Sequence, residues 1–231
     1  MTIMAKKVHH MALGFVFSLL GCTEIQVQEQ RKTETAIGAN EKISFILDRS
    51  TIKDVEDAQK IEVKIEKCID KALKKLDPPV QTVSAESFRN AAFPDMDYLS
   101  VPSSLDSLMT LLKSSNFRER IKPLGLRYLL VLHSEYSSKA EPVGGCFGGG
   151  GGAACLAFIV WNNETKMSAG VLDLAKVCNA GEVNAQAVGH PWVGIVLIFP
   201  LGFPAFSEGP ACDALGKQVA TFIVGNRQKQ K

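Results

Sequence analysis

The chain has 231 residues, 46% of them hydrophobic and 22% charged. That is a globular rather than a disordered composition, and the length suits one compact domain. Lysine and arginine number 26 against 24 aspartates and glutamates, and setting aside Lys6 and Lys7 of a leader leaves the two signs balanced. A neutral chain without a basic cluster argues against nucleic acid as a partner, since that binding rests on phosphate neutralisation.

Lys6, Lys7, His9 and His10 precede the apolar run Met11 to Leu20, MALGFVFSLL. Ten such residues span about 15 Å as a helix, half of a ~30 Å hydrocarbon core, so the run reads as a signal-peptide core over 1–21. It ends in Leu19-Leu20-Gly21-Cys22. This tetrapeptide resembles the lipobox of bacterial lipoproteins. The resemblance implies acylation of Cys22 after cleavage before it, and several acyl chains give lasting membrane attachment. Thr23, in place of an aspartate, points to the outer membrane and its periplasmic face, with the inner membrane as the alternative. The polar segment 22–40, TEIQVQEQRKTETAIGAN after the cysteine, reads as a flexible tether. The folded domain is expected over 41–226, with 227–231 as a disordered tail.

Short strands are expected at Lys42–Leu47 and Val80–Val83. Between them Val55, Ala58, Ile61, Ile65, Ile69, Ala72 and Leu76 recur on one helical face, stopped by Asp77-Pro78-Pro79. Ser84 is placed to cap a helix ending at Pro94, and Ser103 or Ser104 the next, whose face carries Leu105, Leu108, Met109, Leu112 and Ile121. Residues 126–134 form the strongest strand candidate. Leu156–Trp161 and Lys166–Leu174 are expected to pair as a hairpin about Asn162-Asn163-Glu164-Thr165. Further strands are expected at Gly181–Val188 and Trp192–Phe199. A last helix, 207–224, would turn Cys212, Leu215, Val219, Phe222 and Ile223 inward. Consecutive strands with short turns imply antiparallel pairing. The class is α+β: a single sheet, mostly antiparallel in its C-terminal half, with helices packed on one face.

Five cysteines follow Cys22, and an exported chain meets an oxidising compartment. Cys146 and Cys155 bracket a glycine run and are the first choice for a disulfide. Cys68 and Cys212, both on apolar helix stripes, are the second, which leaves Cys178 free. No tight cysteine pair suggests zinc, and no metal or other cofactor is expected. After the leader the histidines are His133, inside a strand, and His190, in a Gly-His-Pro-Trp turn. Both are read as structural, with an envelope hydrolase using either as the alternative function. The Gly148–Gly152 run lacks the Lys-Ser/Thr of a phosphate loop and reads as a loop tip. Trp192–Phe206 is the longest apolar stretch, too short and too broken by Pro200 and Pro204 to span a bilayer as a helix. It is read as a buried strand and loop, or else as an exposed patch at Leu201, Phe203 and Phe206. Arg118, Arg120 and Lys122, diluted by Glu119, read as a solvated helix face.

Three strings carry a second resemblance: Ala85–Pro94 (AESFRNAAFP), Leu124–Leu132 (LGLRYLLVL) and Glu208–Cys212 (EGPAC). Together they resemble a group of proteobacterial lipoproteins. The layout is similar to the N-terminal domain of the Tol translocation β-propeller protein and to the periplasmic domain of curli-secretion lipoproteins. The resemblance implies envelope binding or scaffolding rather than catalysis and transfers no site residues. The expected function is a membrane-anchored, non-enzymatic periplasmic module. Its expected partners are the membrane, through the N-terminal lipid, and another envelope protein. A subunit of an outer-membrane secretion assembly is a further alternative, for which only Leu156–Leu174 approaches the amphipathic strands required.

Overall fold

A computed structural model describes residues 23–50, 52, 54–149, 152–196 and 199–225. Residues 1–22, which include the expected leader and Cys22, and the expected tail 227–231 lie outside the described residues. The chain divides into two compact units, the larger of which holds Ile25–Glu135, Thr165–Gln186 and the residues from Glu208 onward. The smaller holds Tyr136–Glu164 and Ala187–Ser207, together with the residues up to Glu24.

Strands β1 (Thr23–Arg31), β2 (Lys42–Leu47), β3 (Gln81–Val83), β4 (Leu126–Gly149), β5 (Gly152–Asp173) and β6 (Cys178–Gly189) follow the order β1-β6-β5-β4-β2-β3, and the larger unit holds them except for the first two residues of β1, the far arms of β4 and β5 and the last three residues of β6. β2 runs parallel to both β3 and β4. Parallel neighbours need long crossovers, which helices supply here. β4 and β5 are neighbours joined by only two residues, a link that only antiparallel strands allow. The class is α+β, and the sheet is mixed.

The helices are α1 (Val55–Leu73), α2 (Ala85–Ala92), α3 (Leu105–Leu112), α4 (Ser115–Ile121) and α5 (Glu208–Val224). Asp54 caps α1 by accepting from the Asp57 N–H, and Ser84 and Ser104 do the same for α2 and α3. The helix expected to run from Ser104 to Ile121 is two helices, with Ser114 in extended backbone at the start of the second. α1 buries Ala58, Glu62, Ile65, Ile69 and Leu73, a stripe at spacings of three and four.

Every residue of β2 from Ile43 to Leu47 is fully buried. Side chains alternate between faces along a strand, so both faces of the sheet are covered there. Ile46, Leu129, Val131 and Leu172 join Phe88, Phe93, Leu108, Leu112, Phe117 and Ile121 in one cluster under α2, α3 and α4. Ile43, Phe45, Leu47, Tyr128, Leu130 and Leu132 fall on the opposite face and are buried outside that cluster, as is the inner stripe of α1, which packs on β2. Helices on one face, as expected from the sequence, describes only half of this cover. Ser44, buried on the face of Ile46, donates its hydroxyl to the Val83 carbonyl at 2.9 Å.

α5 packs along α1. Gly216 permits the approach, because a Cβ there would lie 2.8 Å from the Cys68 carbonyl oxygen. Cys68 and Cys212 are joined as a disulfide across the same contact, with Cα atoms 5.8 Å apart. Cys212, Leu215, Val219, Phe222 and Ile223 all face inward.

The segment expected to be a tether is structured. Thr23–Arg31 forms β1 at the sheet edge beside β6, although eight of its nine residues are exposed. An edge strand needs backbone hydrogen bonds rather than apolar burial. The Lys32 N–H continues the pairing with the Ala180 carbonyl at 2.8 Å. Gly181 has φ +142°, and a Cβ there would meet the Gln30 carbonyl oxygen at 2.2 Å. Beyond β1, Tyr128 bonds both backbone groups of Ala36 through its hydroxyl, and Ile37 is buried.

The smaller unit holds the far arms of β4 and β5, with β7 (Trp192–Val196) and β8 (Phe199–Phe203). The order is β4-β5-β7-β8, with β5–β7 and β7–β8 antiparallel. The hairpin expected between Leu156–Trp161 and Lys166–Leu174 does not form, because Asn162–Thr165 continues β5 as strand. That tetrapeptide has no glycine to supply the positive φ of a tight hairpin turn. Ser138 instead donates to Asn163 across β4–β5 at 2.7 Å. The single strand expected at 192–199 is two paired strands. Pro142 in β4 and Pro200 in β8 sit on the two edge strands of this unit, where a missing N–H is tolerated.

Candidate functional site

Two concave regions of the larger unit gather polar side chains. The first is a groove of about 260 Å³ across four neighbouring strands. Gln26 and Gln28 come from β1, Asn184 and Gln186 from β6, Lys166 and Ser168 from β5, and His133 and Glu135 from β4. On β4 these are the odd-numbered positions, the parity of Leu129 and Val131. The face under α2–α4 therefore turns from apolar to polar along the strand. His133 is partly buried, and its Nε2 lies 3.1 Å from the Glu135 carboxylate. The pair is a polar contact on an amide-rich surface.

The second region is a cavity of about 550 Å³ beside α1, α2 and the segment leading to α3. Glu62 in its wall is buried. It accepts from the Leu47 N–H at 3.1 Å and forms an ion pair with Arg89. Tyr98 is stacked against two guanidinium groups, with Arg49 4.5 Å and Arg89 4.7 Å from its ring centroid. Arg49 is buried and donates to the Tyr98 and Val101 carbonyls, while its Nε and the Tyr98 hydroxyl have no hydrogen-bond partner among the described residues. Burial, with the nearby Glu62 charge, pushes the Tyr98 hydroxyl pKa up. Glu66 is half-buried in the same wall and accepts from the Ala85 N–H at 3.2 Å. Desolvation raises its pKa above the ordinary carboxylate value, and the Glu62 and Asp70 charges add to that. Val63 and Met96 are exposed at the rim. Charged walls, a stacked aromatic and an apolar rim suit a bound ligand or partner segment.

The residues singled out in the sequence fall elsewhere or only partly here. His133 lines the groove, whereas His190 is exposed in the smaller unit. Cys22 lies outside the described residues, as do the side chains of Cys146 and Cys155. Cys68 and Cys212 form a disulfide, and Cys178 is a free, partly buried thiol. Arg118, Arg120 and Lys122 are exposed, with Lys122 3.3 Å from Glu119. Phe206 is 75% exposed, and the side chains of Leu201 and Phe203 are outside the described set. No group of described residues could hold a metal ion, and no described helix is long and apolar enough to cross a membrane. Tyr98, Arg49 and the Glu62–Arg89 pair carried no sequence signal beyond two acids four apart at Glu62 and Glu66, which a solvated helix face shows equally.

No family model and no curated protein matches the chain. Two solved structures of PelC dodecamers from Paraburkholderia phytofirmans are similar to it at a low level. One, of a single-substitution variant, has a TM-score of 0.38 and 10% identity, covering 89% of this chain and 99% of that one. The other has a TM-score of 0.34 and 9% identity, covering 88% and 95%. Likeness at this level assigns neither family nor activity.

Proposed function

We propose that this chain is a membrane-anchored lipoprotein whose folded part is a non-catalytic binding or scaffolding module of the cell envelope, held at the periplasmic face of the outer membrane. The observation that carries the reading is the Cys68–Cys212 disulfide, which suits an oxidising compartment and so accords with the Leu19–Cys22 lipobox. The cavity beside Tyr98 supplies the contact surface, because it places Glu66 and Arg89 next to exposed Val63 and Met96.

Two measurements test the two halves of this reading. Growing cells with an alkyne palmitate should tag the protein, and Cys22→Ala should remove the tag. A photo-crosslinking residue at Met96 should trap an envelope protein that the same residue at the solvated Arg118 does not. An untagged wild-type chain overturns the anchor, and equal trapping at both positions overturns the binding surface. The His133–Glu135 contact favours one other reading, an envelope hydrolase. His133→Ala with unchanged growth on envelope stress removes it.

A further inference from the structure

The smaller unit is marked by where charge is missing. From Pro142 to Asn163 the chain has no Asp, Glu, Lys or Arg over 22 residues, and from Val183 to Ser207 none over 25. At the chain's average of 22% charged, the second stretch alone would carry about five. The two stretches supply the outer arm of the β4–β5 pair and all of β7 and β8.

Soluble strand pairs put polar groups on the face that meets water. Here the described side chains are mixed: Ser138, Lys139, Glu141 and Asn162 are exposed, and an apolar pair is exposed beside them. Ile159 of β5 and Val193 of β7 are directly opposed in the antiparallel register, and they are 44% and 40% exposed. Val143 and Phe206 are also exposed in this unit. Directly opposed on paired strands, Ile159 and Val193 form one apolar pair on a single face of this unit.

The same unit contains Thr23, the residue after Cys22. Because β1 starts at Thr23, no slack chain separates the acylation position from folded structure. An acyl group on Cys22 would therefore hold folded structure close to the bilayer at Thr23, a residue of this unit. We propose that the exposed strand face around Ile159 and Val193 seats in the lipid bilayer next to the anchor. The inference rests on the anchored-lipoprotein reading. The occupant is lipid because the acylation position ends in this unit and the face has no charge to complement a protein partner.

The chain's two tryptophans, Trp161 and Trp192, both lie in this unit, each within two residues of the Ile159–Val193 pair. Trp161 shares the strand parity of Ile159, and the tryptophan fluorescence reports on this unit. The full-length Cys22→Ser protein, which lacks acyl chains, is mixed with vesicles of phosphatidylethanolamine and phosphatidylglycerol, plain or with brominated chains. It should float with the vesicles, and brominated lipid should quench its fluorescence. Ile159→Asp with Val193→Asp should lower vesicle partitioning roughly tenfold or more. Should that variant misfold by circular dichroism, Ile159→Ser with Val193→Thr should give a smaller loss in the same direction. Unchanged partitioning in a folded variant overturns the proposal. So does a Cys22→Ser protein that neither floats nor is quenched, including one that buries the face in a lipid-free oligomer. Palmitate labelling of the wild-type chain reads the anchor separately. Quenching without any palmitate tag supports the bilayer face and removes the anchor reading.

Discussion

The larger unit and the smaller one treat polar groups in opposite ways. In the larger unit charges are placed where they can be paired. Asp173 is fully buried and accepts from Arg127 at 2.8 Å and from the Ala175 and Lys176 N–H groups. Glu62 is buried with Arg89. Buried residues cover both faces of β2. In the smaller unit the strands are almost free of charge, yet opposed apolar residues face outward. The same two strands, β4 and β5, serve both units. What differs is what covers them: helices in one, and by our proposal lipid in the other.

The largest effect should come from the buried ion pair of the larger unit. Arg89→Ala leaves the Glu62 carboxylate buried without its partner, and should cost about 3–5 kcal/mol in chemical denaturation. Removing both charges with Glu62→Gln and Arg89→Met should cost clearly less, because neither group is then stranded. Equal losses would show that the pair is not energetically coupled. Next in size, Cys68→Ala with Cys212→Ala opens a closure spanning 144 residues of sequence and should cost about 2–5 kcal/mol. The effect should vanish when both proteins are compared under reducing conditions.

A loss of about 1 kcal/mol is expected for Ser84→Ala, which deletes the α2 cap. Glu66→Gln should act through pH. Burial raises the native carboxyl pKa above its unfolded value, so the native state holds its proton more tightly. The stabilisation is complete below the unfolded pKa and is lost as pH rises through the folded one. The Gln variant should therefore be the more stable protein at neutral pH and lose that advantage in acid. A wild-type advantage at neutral pH would contradict the burial argument. Smallest of all, Ile159→Ser with Val193→Thr should leave the unfolding of the larger unit within about 0.5 kcal/mol, since exposed sites contribute little. A large loss would mean that these side chains are packed in the folded protein and do not form a free face.

Local chemistry was readable wherever it acted within a few residues. Asp54, Ser84 and Ser104 cap helices because a side-chain oxygen reaches an N–H three residues on, and that spacing is visible in any string of letters. The inward stripe of α5 and the strand at Lys42–Leu47 follow from periodicity in the same way. The Thr23–Arg31 strand was hidden by its polarity, although Ile25 and Val27 alternate with glutamine and glutamate. Asn162–Thr165 looked like a turn because its residues favour turns, and pairing along the length of β4 overrode that preference.

The candidate site was the least legible part. Tyr98 and Arg49 are 49 residues apart, and Arg89 reaches Glu62 from another helix, so nothing in local sequence links them. By itself the sequence determined the helix caps, the amphipathic stripes, the balance of charge and the lipobox-like leader, all of which depend on near neighbours. Only the tertiary structure decided which strands pair, that both faces of β2 are covered, and which ionisable groups lose their water. Those outcomes depend on contacts between distant residues, and periodicity carries no record of them.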